Sequence, residues 1–257
     1  ATAETSRVME PITSRSNARL KAARKLQAKR NRTTAGLFLA EGEDIVGEAL
    51  ACGILPVETF VAADRPIDEG LLARLARGGP VQMIGDALIA ELGTLGHPAR
   101  VICVFRIDSL PARVDGDLGV HLHRVIDPGN VGTVVRAAGA LGRGFVSLSP
   151  GCSDPLSGKG VRASMGAVFR VPIEHAEMPP EGIRRVALVP AAERPIWQLD
   201  LTQPTVFVVG AERHGLPAEV VAACDETASI PQSEGSESLN AAAAATVALY
   251  EAVRQRS

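Results

Sequence analysis

Aromatic residues are scarce: one Trp, one Tyr and six Phe in 257 positions. So few rings exclude an extended base-stacking platform for single-stranded nucleic acid. The four cysteines (Cys52, Cys103, Cys152, Cys224) stand far apart, with no CxxC and no Cys/His ligand spacing. They supply neither a zinc site nor a disulfide framework, and predict reduced thiols, no bound metal and a cytoplasmic protein. No apolar run approaches the roughly 18–20 residues that span a bilayer. The stretch "ATAETSRVMEPITSRSNARL" has no apolar signal core either, so no membrane role is expected. The glycine signatures of nucleotide sites, G-x-G-x-x-G and a Gly loop ending in GK[ST], are also missing. Their absence argues against a nucleotide-dependent oxidoreductase or a P-loop enzyme.

Acidic residues are absent from all of Pro11–Ala40, although the chain as a whole carries a net charge of only −2. The same segment holds Arg15, Arg19, Lys21, Arg24, Lys25, Lys29, Arg30 and Arg32. One sign of charge over such a length is a candidate phosphate-binding surface, because neutralising phosphates releases counterions. The alternative is a solvated basic helix face.

The length allows one large domain or two small ones. Residues 15–30 read as a basic helix, and "EGEDIVGEALACG" as a second, with Ile45, Val46, Ala49 and Leu50 on one face and Gly53 as its stop. Strands at "PVETFVA", "PVQMIG" and "ARVICVFRI" alternate with helices at "DEGLLARLARGG" and "GDALIAELG". This predicts a small α/β domain over 1–107. The polar, aperiodic "DSLPARVDGD" (108–117) reads as a linker. Beyond it, over 118–257, the runs "GVHLHRVID", "GFVSLSP", "RRVALVPA", "TVFVVGA" and "TASIP" alternate with helical segments, which predicts a mostly parallel, doubly covered sheet. The final segment, "SLNAAAAATVALYEAVRQR", reads as an alanine-rich helix able to pack closely.

The stretch "HRVIDPGNVGTVVRAAGALG" places an Asp-Pro-Gly-Asn turn before a helix expected to begin near Val131–Thr133. A glycine turn feeding a helix N-terminus is a common anion site. The helix is small and aliphatic except for Arg136, which taken alone reads as a snorkelling surface residue. Two further segments follow: "VVGAERHGLPAEV", with Gly210 and Glu212, and "SIPQSEGSESLNAAAAA", with Ile230, Ser238, Leu239 and Asn240.

In order, DPGN-x-GT-x₂-R, G-x-E-x₂-GL and IP-x₆-SLN resemble the three signature motifs of the SpoU (TrmH) family of RNA ribose 2′-O-methyltransferases, in the SPOUT superfamily. "ITSRSNARLKAARKL…GLFLAEGEDIVGEAL" resembles that family's L30e-like RNA-binding domain, and "KGVRASMGAVFRVPI" its middle segment. The resemblance implies an α/β SPOUT domain with a deep C-terminal trefoil knot, mostly parallel in its sheet, preceded by the L30e-like domain. It implies S-adenosyl-L-methionine bound through Gly210, Ile230 and Leu239, and a catalytic set of Asn130, Arg136, Glu212, Ser238 and Asn240.

The implied substrate is structured RNA, with ribosomal (23S-type) RNA favoured over transfer RNA. A non-catalytic RNA-binding scaffold is the competing reading. A guanidinium is always protonated, so Arg136 is expected to bind ribose-phosphate and stabilise developing alkoxide charge rather than act as a free base. Small-residue faces on its helix and on the last helix imply a homodimer through the knotted domain, with Arg136 serving the partner's pocket. The sequence departs from the family at Glu234–Gly235, where the glycine comes one place late, at Ala241–Ala242 in place of Val-Ser, and at His214. Lys159 and Arg162 are further candidates for phosphate contact.

Overall fold

A computed structural model describes residues 11–94, 99–112, 116–142, 144–179, 181–233 and 238–257. The chain forms two compact units, Ala1–Leu110 with Leu156–Phe169, and Pro111–Pro155 with Arg170–Ser257. Residues 156–169, which the sequence reading assigns to the second domain, therefore pack with the first unit. The cause is apolar: Phe169 meets Phe38 and Phe105 at ring-centroid distances of 5.8 and 4.9 Å, and all three rings are buried.

The first unit begins with α1 (Ala18–Lys25) and α2 (Lys29–Ala35), two helices where the sequence predicts one. Side chains of α2 end α1. Arg32 donates to the carbonyls of Leu26 and Gln27, both at 2.8 Å, and Asn31 donates to that of Lys25 at 2.8 Å. Carbonyls near a helix C-terminus lack intrahelical partners, and these donors satisfy three of them.

Then come β1 (Leu37–Glu41), α3 (Glu43–Ala51), β2 (Glu58–Ala62), α4 (Glu69–Ala76), β3 (Val81–Ile84), α5 (Asp86–Leu92) and β4 (Val101–Arg106). The sheet order is β1-β4-β2-β3, with β4 antiparallel to both neighbours and β2 parallel to β3. Leu20, Ala23, Phe60, Ile84, Ile89 and Ile102 form the centre of its core. The helix Gly158–Ala163, numbered α7 for its place in the chain, packs beside β1. Strand β1 was not predicted.

The second unit contains β5 (Leu118–His123), α6 (Pro128–Leu141), β6 (Phe145–Leu148), β7 (Ile173–His175), β8 (Arg184–Leu188), β9 (Thr205–Gly210), α8 (Ala218–Ala222), β10 (Glu226–Ala228) and α9 (Ala241–Arg256). Its sheet runs β10-β8-β9-β5-β6-β7, and every described neighbour pair is parallel, as expected. Central β5 is buried throughout and reads as a near-continuous apolar run broken by two histidines.

Helices α6 and α9 pack on each other and on the sheet. Their small residues permit this, with Gly132, Ala138, Ala245 and Ala248 all buried. Strand β6 lies on one side of β5, and β9 returns to the other. The chain therefore switches direction between β5 and β9, and the loops leaving their carboxyl ends open the crevice where open α/β sheets bind ligands. No described helix is long and apolar enough to cross a membrane.

Candidate active site

The crevice at the β5/β9 switch is built from three loops. After β5, Asp127 caps α6 by accepting from the backbone N–H of Gly129 at 2.6 Å and of Asn130 at 3.1 Å. The helix starts at Pro128, three residues earlier than the nearer end of the expected range, because Pro fits the first helical turn and Asp127 satisfies the donors behind it. That carboxylate already occupies the N–H groups that an anion would need, so the turn is not the phosphate cradle its glycine hinted at.

After β9, the chain folds back on itself. Gly215 donates its N–H to the Ala211 carbonyl at 2.8 Å. A Cβ on Gly210 would stand 2.3 Å from the carbonyl carbon and oxygen of Gly215, so only glycine fits there. The third loop ends at Asn240, which caps α9 by accepting from Ala242 N–H at 2.9 Å and Ala243 N–H at 3.3 Å.

One hydrogen-bonded chain ties the three loops together. Asn130 donates from Nδ2 to Glu212 Oε1, and Asn240 donates from Nδ2 to Asn130 Oδ1 at 3.1 Å. Beside this chain lies a cleft lined by Leu188, Val209, Gly210, Ile230, Ser238 and Leu239, among others. Its walls are mostly apolar, with Glu212, Gln232 and Ser238 as the polar side chains, and they come from β8, β9, the loops that follow them and the start of α9. Such a lining suits a ligand with a flat apolar ring held by main-chain groups. On the other side of Glu212 a second cleft reaches Arg124, Arg213, His214 and Asn240.

A model of the SpoU rRNA methylase family matches residues 117–250, and one of the MRM3-like substrate binding domain matches residues 17–103. The chain belongs to the SpoU rRNA methylase family. It is 37% identical to the 23S rRNA (uridine(2479)-2′-O)-methyltransferase of Streptomyces viridochromogenes, covering 95% of this chain and 92% of that protein. It is 27% identical to the 23S rRNA (guanosine(2553)-2′-O)-methyltransferase RlmP of Bacillus subtilis, over 94% and 98% of the two chains. Among solved structures it resembles the SpoU methyltransferase AviRb from Streptomyces viridochromogenes in complex with AdoMet, with a TM-score of 0.82 and 32% identity, over 93% of this chain and 98% of that one. The SPOUT α/β fold class follows.

Within this SpoU chain the structure brings Asn130, Glu212, Ser238 and Asn240 to one crevice, with Gly210, Ile230 and Leu239 in its cleft. Arg136 is not among them. It lies six residues, or about 9 Å of helix rise, beyond Asn130. It is exposed on the outer stripe of α6 with Thr133 and Ala140, lines neither cleft, and makes no hydrogen bond or ion pair among the described residues.

His214 is exposed and lines the second cleft. Ala241 and Ala242 are buried where a hydroxyl would have to find a partner. Glu234 and Gly235 lie outside the described residues.

The basic segment divides. Arg15 and Arg24 pair with Glu91 at 2.5 and 2.6 Å, and Arg19 pairs with Glu58 at 2.9 Å. Arg32 is buried and spent on α1. Lys21, Lys25, Lys29 and Arg30 are exposed and make no ion pair among the described residues. Arg162 is engaged by Glu41 at 3.4 Å and by the Thr94 carbonyl at 3.0 Å, and Lys159 is exposed.

Sequence reasoning missed His123 and Arg124, both on the second cleft. The signal was present, as "HLH" puts two histidines on one face of a buried strand.

Proposed function

We propose that this protein transfers a methyl group from S-adenosyl-L-methionine to a ribose 2′-hydroxyl in structured RNA, with 23S-type ribosomal RNA as the substrate. The observation that carries this is the Glu212–Asn130–Asn240 chain standing between the cleft lined by Gly210, Ile230 and Leu239 and the cleft lined by Arg124, His214 and Asn240. The cofactor, when bound, supplies an electrophilic methyl on sulfur. Gly210, Ile230 and Leu239 are assigned to hold it. Gly210 does so by letting the backbone approach closely, and the two aliphatic side chains do so by excluding water.

Asn130 and Asn240 offer neutral hydrogen bonds that orient the ribose, and Glu212 fixes Asn130. In-line placement of the hydroxyl is where most of the acceleration arises. Arg136 faces solvent in the single chain, so its ribose-phosphate role requires a second copy. We assign a homodimer through α6 and α9, where Val247 and Tyr250 are 41% and 58% exposed, with Arg136 reaching the partner's crevice. Threading of the C-terminal segment as a trefoil knot, and a cytoplasmic location, belong to the same reading. The exposed Lys21, Lys25, Lys29 and Arg30 form the phosphate-facing surface of the first unit.

The reading is tested by supplying labelled-methyl cofactor with purified ribosomal or transfer RNA. Label in ribosomal RNA alone supports it. Label in transfer RNA alone moves the substrate class, and cofactor binding without label in either RNA favours a scaffold.

A further inference from the structure

His123 ends β5 and is only 7% exposed, yet neither of its ring nitrogens has a hydrogen-bond partner among the described residues. Its neighbour on the same strand face, His121, is also buried and is partnered at one nitrogen only: Nδ1 lies 3.0 Å from Ser147 Oγ, while Nε2 has no partner among the described residues. The two rings are 6.5 Å apart, so the difference is one of position. His121 sits inside the sheet, whereas His123 lines the second cleft with Arg124, Asn130, Glu212, His214 and Asn240. A buried polar atom left unpaired is costly, and one that lines an open cleft, as His123 does, is placed where a ligand can complete it.

The next residue supports this. Arg124 is one of two non-glycine residues with positive φ among those described, at 53°, and its N–H is pinned by Ser149 Oγ at 2.9 Å. Strained backbone held in place by a side chain is characteristic of ligand sites. The cleft measures about 870 Å³, which leaves room for a nucleotide.

We propose that His123 is a specificity residue for methyl transfer, its imidazole hydrogen-bonding the base edge of the nucleotide whose ribose lies at Asn130 and Asn240. This rests on the functional reading above. Burial holds the imidazole below its ordinary range, reinforced by the Arg124 guanidinium and opposed by Glu219 and Glu177. The ring is therefore neutral at pH 7, with one donor and one acceptor. A neutral ring offers a phosphate no charge, but it matches the donor–acceptor edge of a base. Family relatives act on uridine in one case and guanosine in another. His123 lies outside the three signature motifs.

The test uses the full-length protein, its mapped target RNA, and transcripts in which only the target base is changed. Wild type should prefer the native base. His123→Phe keeps the ring shape without hydrogen bonding. It should lose about tenfold in kcat/KM on native RNA, mostly through KM, and treat the four bases alike. His123→Asn, which keeps a donor and an acceptor, should retain part of the preference. Cofactor affinity by calorimetry should be unchanged in both. Wild-type base preference in a His123→Phe protein that folds and binds cofactor would overturn the proposal, as would a loss that merely follows lost cofactor affinity. If wild type binds cofactor but methylates no RNA, the functional reading fails first, and that outcome is visible without any variant.

Discussion

Asn240 Nδ2 donates to Asn130 Oδ1 at 3.1 Å, joining the start of α9 to the first turn of α6 across 110 positions. The same amide caps α9 through its oxygen. Asn240→Asp keeps the cap acceptor and removes the donor, which separates the two roles. It should unfold in urea within about 1 kcal/mol of wild type yet lose more than about tenfold in methyl transfer, because the crevice loops are no longer tied. Asn240→Ala should lose activity and about 1 kcal/mol of stability together. Wild-type turnover in the Asp variant would remove the link from the mechanism.

The basic segment should split into structural and binding residues. Arg32→Ala strands the Leu26 and Gln27 carbonyls and should cost about 1–3 kcal/mol in stability, with RNA affinity changed little in the folded fraction. Changing Lys21, Lys25, Lys29 and Arg30 together to Glu should leave the melting temperature nearly unchanged. It should weaken RNA binding and flatten its salt dependence. Filter binding across a salt series, beside thermal melting, checks both.

Burial pushes the His121 imidazole from 6.5 down to about 4, with smaller contributions from His123 and Arg185. Folded protein therefore binds fewer protons than unfolded chain between those values, and stability falls as the solution is acidified through that window. At about 1.4 kcal/mol per unit, the loss from pH 7 to pH 4.5 should be roughly 2–3 kcal/mol. His121→Asn should show a shallower fall in urea unfolding over the same range. Equal slopes would mean that His121 charges freely in the folded state.

The parallel sheet was legible because β5, β6, β8 and β9 are apolar runs with turn signals at their ends. Two strands were not. In β1 the acidic end, Glu41, runs straight into the next helix and blurs the boundary. In β7 the three residues Ile173–His175 are too short and too exposed to carry a period. The basic helix was read as one because charge masks the break, which Arg32 makes through contacts that no local pattern records. The motif residues at strand and helix ends were legible, since those ends meet at the switch point. Arg136 was expected in the crevice and stands exposed on the outer stripe of α6, because a motif position fixes a helix face and not what that face meets.

Mixing two inactive variants locates Arg136. Gly210→Val places side-chain atoms against the Gly215 backbone and should abolish cofactor binding, while Arg136→Ala should keep it. Each alone should be inactive. Verified mixed dimers should regain up to about half of one dimer's activity, from one complete composite site. No recovery would place Arg136 in its own chain's pocket.

The most direct test of the central claim is to methylate ribosomal RNA with this protein, digest it to nucleosides and locate the added methyl by mass spectrometry. The account predicts one 2′-O-methylated nucleoside from 23S-type RNA, absent without cofactor and absent with Asn130→Ala. A methyl on a base, or none in the presence of bound cofactor, would contradict it.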